Sequence, residues 1–292
     1  MAGTWTTSGN VNMGKFRTNG GGTGSAAFIG PGNDDTNGVD NLTESFGGSV
    51  WTNEGNTNSI RQLYGAGGVQ TAGIIMTGHD GGAVLATSET FNGTTWTVGG
   101  SVNVARFFTA GCGLEAAAIS AGGLDASSNY KATTELYNGS TWATSGNLPA
   151  GRIDGSMCGT QSSGLYIDGI NSGGSYRKEV YSFTGSAWGT EGSTNAGRRA
   201  GGAGGTQPAA VCWGGEVAGI GIDTATETYD GVAWSYDTSK SAGIEYGLGA
   251  GTYSSAIAAS GHDASYSTGN ITEVWSNGAG PVAANGNFLP FM

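Results

Sequence analysis

At 292 residues, with 58 glycines but 37% hydrophobic and 10% aromatic residues, the chain carries too much aromatic material for a disordered Gly/Ser linker. Its charge is sparse and acidic, 22 acids against 11 bases for a net −11, and no basic stripe is present, which excludes a nucleic-acid partner. The polar start, Met1 to Asn10, lacks the apolar core of a secretory signal, and no stretch is apolar enough to predict membrane insertion.

The first predicted element is a strand at Gly3-Thr4-Trp5 with no hairpin partner before it. Its tryptophan returns every 45 or 46 residues, at Trp51, Trp96, Trp142, Trp188 and Trp234. Glycines keep the same phase at Gly22, Gly68, Gly113, Gly159, Gly205 and Gly251, and again at Gly32, Gly78, Gly123, Gly169, Gly215 and Gly261. Six phased copies of one turn-rich, strand-like unit predict propeller blades and a single domain over residues 1–280.

The third copy shows the unit. Arg106 to Cys112 leads into the small apolar run Ala116 to Ala121, closed by Gly122-Gly123. A polar loop follows, then Thr134-Glu135-Leu136-Tyr137, the hairpin signal Asn138-Gly139, and a fourth strand from Trp142. Each acid-aromatic hairpin repeats this: Glu44 before Trp51, Glu89 before Trp96 and Glu227 before Trp234, always seven residues apart. In the fourth copy Tyr181 takes the Glu position. Ten residues after each Trp stands a cation (Lys15, Arg61, Arg106, Arg152, Arg198), except that the sixth copy has Ile244. That copy ends on Glu273-Val274-Trp275 without its final Trp strand. The predicted fold is therefore all-β, a six-bladed β-propeller of four-stranded blades, its ring closed by the N-terminal strand completing the last blade.

Double glycine, acid-aromatic hairpin, Trp and a cation ten residues on together resemble the kelch repeat, over roughly residues 1–280. The resemblance implies four-stranded propeller blades; only Gly122-Gly123 and Gly214-Gly215 keep the full double glycine. Copper oxidases of this type need Tyr, His and Cys ligands. With only His79 and His262, no cofactor and no metal are expected.

The ring of Glu44, Glu89, Glu135, Glu227 and Glu273, and that of Arg61, Arg106, Arg152 and Arg198, are equivalent from copy to copy. A catalytic acid pair needs unlike environments, so these are read as structural contacts, Glu–Arg or Glu–backbone, and the chain is read as no enzyme. His79 and His262 each stand in Gly-His-Asp, in copies too far apart to share a metal. Asp34, Asp80, Asp125, Asn171 and Asp263 recur two residues after the phased glycine, with Val217 the exception. They read either as turn caps or, with the two histidines, as a binding rim on one face. Cys112, Cys158 and Cys212 have no metal-ligand spacing and read as small buried side chains. The tail, residues 281–292, lies outside the repeat, and its Phe288, Leu289 and Phe291 form a candidate docking segment.

Gly/Ser/Thr/Asn-rich arrays with a strand such as Gly205-Thr206-Gln207-Pro208-Ala209 resemble structural proteins of tailed phages and marine viruses. The expected function is accordingly a non-enzymatic virion protein, capsid- or tail-associated, whose partners are other virion proteins and, in host recognition, a cell-surface glycan. A free glycan-binding adhesion propeller is the alternative; an enzyme with a central active site is the third class.

Overall fold

The computed structural model describes residues 2–278, all strand, turn and loop. The tail segment with Phe288, Leu289 and Phe291 lies outside the described residues. Eight antiparallel sheets form, six of them four-stranded. Numbered along the chain, the first four-stranded sheet runs from an inner strand Gly20–Thr23 through Ala26–Ile29 and Glu44–Phe46 to an outer strand Trp51–Asn53. The second comprises Gly65–Val69, Ala72–Met76, Ser88–Phe91 and Trp96–Val98. The third comprises Ala110–Leu114, Ala117–Ala121, Thr134–Tyr137 and Trp142–Thr144. The fourth comprises Ser156–Thr160, Ser163–Ile167, Glu179–Phe183 and Trp188–Ser193. The fifth comprises Gly202–Thr206, Ala209–Trp213, Thr226–Tyr229 and Trp234–Asp237. The sixth comprises Leu248–Thr252, Ser255–His262 and Thr268–Ser276, and its outer strand is Thr4–Thr7 from the other end of the chain. This architecture fits a β-propeller.

Each inner strand packs against the inner strands of the sheets before and after it, and Leu248–Thr252 packs against Gly20–Thr23. Their glycine and alanine content follows from that crowding. A Cβ on Gly67 would stand 2.8 Å from Gly113 O, and one on Gly249 only 2.4 Å from Gly202 Cα. Second strands, covered on both faces by neighbouring sheets, are instead continuously apolar, as in the fully buried Ile74-Ile75-Met76. The Asn-Gly hairpins are four-residue loops rather than tight two-residue turns. Phe91 pairs with Trp96, and Asn92 Oδ1 caps the loop by accepting from Thr94 N and Thr95 N at 3.0 and 2.9 Å.

The tryptophans sew sheet to sheet. Five of the six phased tryptophans donate the indole N–H to a hydroxyl on the preceding sheet, at the residue just before the repeat Glu. Trp96 donates to Thr43, Trp188 to Thr134, Trp5 to Thr226 and Trp51 to Thr272, all at 2.9 Å, and Trp142 to Ser88 at 3.3 Å. Trp234 alone has a buried indole nitrogen without a partner.

The charged repeat residues are consumed inside the same framework. Arg61 bonds Glu89 at 3.0 Å and Arg106 pairs with Glu135 at 3.3 Å. Arg198 pairs with both Glu227 and Asp168. The carboxylates also accept from the incoming chain: Glu89 takes Asn58 N at 2.6 Å and Ser59 N at 3.2 Å. Asn12, Asn58, Asn103 and Asn195, each seven residues after a Trp, make this contact to Glu44, Glu89, Glu135 and Glu227 and also bond the next Trp carbonyl.

Three departures from the simple repeat have physical reasons. In the fourth sheet Glu179, not position 181, supplies the carboxylate, through a register shift between Glu179 and Tyr181. Arg152 bonds Glu179 Oε2 at 3.0 Å and Tyr181 Oη at 2.8 Å. The matching chain position before it is Pro149, which has no N–H to give a Glu. In the sixth copy the cation comes from Lys240, whose Nζ lies 2.5 Å from Glu273 Oε2, while Ile244 is buried as a plain apolar residue. Lys15 pairs with Asp40 at 3.6 Å and donates to Gly30 O and Leu42 O, leaving Glu44 to Asn12 N and Met13 N.

Candidate functional site: the axial mouth

Two residues after each cation position of the repeat, occupied by Ile244 in the sixth copy, the backbone turns left-handed. Arg17, Leu63, Phe108, Asp154, Ala200 and Tyr246 have φ of 54, 58, 56, 55, 53 and 54°. None is glycine, and such a conformation costs an ordinary residue about 1–2 kcal/mol. A hydrogen-bonded circle compensates. Leu63 N donates to Arg17 O at 2.8 Å and Phe108 N to Leu63 O at 2.8 Å. Asp154 N follows to Phe108 O at 3.3 Å, Ala200 N to Asp154 O at 2.8 Å and Tyr246 N to Ala200 O at 3.0 Å. Thr18 N to Tyr246 O, at 3.2 Å, completes the loop. Six unlike side chains thus stand on one uniform backbone ring.

This ring frames an open depression of about 60 Å³. It shares Asn19, Gly155, Gly201 and Gly247 with a deeper cavity of about 140 Å³ between the glycine-rich inner strands. Phe108 and Tyr246, from sheets three steps apart, meet with ring centroids 6.3 Å apart. Tyr246 Oη donates to Asp154 Oδ2 at 2.8 Å and accepts from Arg199 Nη1 at 3.2 Å. Arg199 also lies over the Tyr246 ring and is tethered to Glu216 Oε2 through Nε at 2.7 Å.

The mouth carboxyls are perturbed. Burial pushes Asp154 up to about 7, opposed by the Tyr246 hydroxyl and the Arg199 charge. Burial likewise pushes Glu245 up to about 6 against the pull of Arg199. Glu245 Oε2 is buried and accepts no hydrogen bond, with Arg199 Nη2 3.9 Å away.

The Asp/Asn set lies in the loops after the second strands, engaged with its own turns. Asp34 accepts from Thr36 N and Asn37 N, and Asp80 from Gly82 N and Ala83 N. Asp125 accepts from Ser127 N and Asn129 N, Asn171 from Gly173 N and Ser175 N, and Asp263 from Ser265 N and Ser267 N. His79 packs near Phe107 at 5.3 Å, whereas His262 stacks on Phe16 at 3.7 Å. Among the described residues no group of three or more His, Cys, Asp or Glu is placed to hold a metal ion. All three cysteines are buried thiols. The mouth residues were not singled out by the sequence pattern, which marks sameness between copies; their signal is a fixed phase with a changing residue, two places after the cation.

No protein-family model matches the chain, and no curated protein matches it in sequence. Among solved structures it is similar to that described as "Structure of YjhT", with a TM-score of 0.74 over 92% of this chain and 99% of that one. Identity is 12%, so the likeness is one of fold, a β-propeller-like one.

Proposed function

We propose that the chain is a six-bladed, kelch-type β-propeller closed by Thr4–Thr7, and that it serves as a non-enzymatic virion component that recognises its partner through the axial mouth. The cyclic contacts of the six inner strands and the Trp-to-hydroxyl bonds from Trp5 and Trp51 support the closed ring. The observation that carries recognition is the division of labour among residues. The Glu and cation side chains that recur from copy to copy are spent on internal bonds, whereas the six side chains that differ are gathered on one rigid ring. Partners on this reading are other virion proteins and a host cell-surface glycan; the virion setting rests on the compositional resemblance to phage and marine viral structural proteins. Immunogold labelling of intact particles with antibody to the chain tests it: label at a fixed capsid or tail position is expected. Protein found only free in the soluble fraction would leave the adhesion propeller as the better reading.

One observation favours a second reading. Asp154, raised to about 7 beside the Tyr246 hydroxyl in an axial depression, is placed as a general acid–base group of an enzyme would be. Recovery of unchanged saccharide after long incubation, followed by proton NMR, is the outcome that fits the binding reading.

A further inference from the structure

The mouth is divided into two unlike sectors. On the side of the third and fourth sheets, Phe107, Phe108, Leu124, Ile153, Ile170 and Tyr176 belong to one apolar cluster. Phe107 and Phe108, half-buried with centroids 4.8 Å apart, present part of their ring surface to solvent. Beside it stand Asp154, Tyr246, Arg199 and Glu216, linked through the bonds described above, with Glu245 and Arg17 close enough to act through their charges.

The polar sector mixes signs. An anion drawn to Arg17 and Arg199 meets Asp154, Glu216 and Glu245; a cation drawn to those carboxyls meets two guanidinium groups. A neutral polyol has no such conflict, because each hydroxyl both donates and accepts. Its hydroxyls can accept from the half-buried Arg17 and Arg199 and donate to Asp154, which lines the depression. The neighbouring aromatic surface matches the apolar C–H face that a pyranose carries behind its hydroxyls.

We infer that the axial mouth binds a neutral pyranose, one C–H face against Phe107 and Phe108 and its hydroxyls toward Arg199, Asp154 and Tyr246. The inference deepens the recognition reading above and rests on it.

Saturation-transfer NMR on the full chain tests it, using the methyl glycosides of glucose, galactose, mannose and N-acetylglucosamine, with glucuronate as the charged comparison. At least one neutral glycoside is expected to receive saturation. Phe107→Ala and the nearly isosteric Asp154→Asn should each weaken it about fivefold to tenfold. Tyr236→Ala, on the exposed outer strand of the fifth sheet, should leave binding unchanged. Thermal melts on the same samples confirm that each variant is folded. Absence of saturation for all four glycosides, preference for glucuronate, or binding untouched by both mouth variants would overturn the assignment. Particle label without glycoside binding overturns the saccharide alone; glycoside binding without particle label overturns the virion setting alone.

Discussion

Trp234 and Val180 belong to one buried cluster, and Val180 stands where the five other sheet junctions place a Thr or Ser hydroxyl. That single difference leaves the Trp234 indole nitrogen buried and unbonded. Burying a donor without a partner costs about 1–3 kcal/mol. Val180→Thr is nearly isosteric and supplies the acceptor found at the other junctions. We predict a gain of about 1 kcal/mol, or about 2–4 °C in Tm by calorimetry. An unchanged or lower Tm would show that the indole has another partner.

A second prediction concerns the relocated cation. Lys240 and Glu273 are both almost fully buried, and Lys240 Nζ also lies 4.7 Å from the Trp5 ring centroid. Removing one partner of a buried pair strands the other charge. Lys240→Met should therefore destabilise by about 3–5 kcal/mol, and adding Glu273→Gln should recover part of it. Chemical denaturation of the two variants measures the difference. Equal stability of single and double variants would mean that Glu273 is held chiefly by Ser241 N and Oγ.

The strand order was legible because Trp, Glu, cation and glycine each do one job at one position in nearly every copy. Sequence phasing reads sameness well. It reads compensation poorly: Lys240 stands four residues before its expected place, and Glu179 reaches Arg152 only through a bulge. Copy four shows why. Pro149 removes the N–H that a Glu would accept, Tyr181 replaces that Glu, and Val180 removes the hydroxyl that Trp234 of the next sheet would use, three changes around one sheet that only a structure brings together. The mouth was illegible for the opposite reason, since its six positions share a backbone conformation and no residue type.

The mouth should make stability fall with rising pH. Asp154 has a folded pKa of about 7, above the ordinary carboxyl value of 3.8. A raised folded pKa means that the proton is bound more tightly when folded. The stabilisation is therefore complete below about pH 4 and lost as pH rises to about 7. At about 1.4 kcal/mol per tenfold in proton affinity, the upper bound is about 4 kcal/mol. Asp168, pushed up to about 8 by burial, and Glu245 act with the same sign, so the test is a difference. Asp154→Asn should gain on the wild type progressively between pH 4 and 7 and stay level above pH 8. A constant offset across pH would show that Asp154 is ionised throughout.

The left-handed ring makes its own prediction. Ala200 has φ 53° and no side chain beyond Cβ to pack, so Ala200→Gly should relieve strain at little cost in contacts. A gain of about 0.5–1 kcal/mol in denaturant unfolding is expected. Phe108→Gly, which removes the same strain but also the contacts with Phe107 and Tyr246, should be destabilising. Destabilisation of both would mean that glycine loosens the hydrogen-bonded circle more than it relaxes it.

Closure by the N-terminal strand is the most exposed claim, since it joins the two ends of the described chain. Thr4–Thr7 pairs in register with Glu273–Ser276, and Trp5 packs against Trp213 and Trp275 at centroid distances of 5.2 and 5.4 Å. Trp5 also supplies the indole bond to Thr226 and part of the cover over Lys240. Deleting residues 1–10 removes all of this and bares the edge of Thr268–Ser276, a template for pairing with another chain. Loss of the half-buried Trp5 together with the Thr4–Thr7 ladder should cost about 3–5 kcal/mol, so Tm should drop by about 10 °C or more. The truncated protein should also self-associate, as light scattering would report. Supplying the peptide 1–10 in trans should reverse both effects if the lesion is the missing strand. A truncation that melts within a degree or two of the full chain would mean that the sixth sheet is complete without Thr4–Thr7, and the closed ring would have to be abandoned.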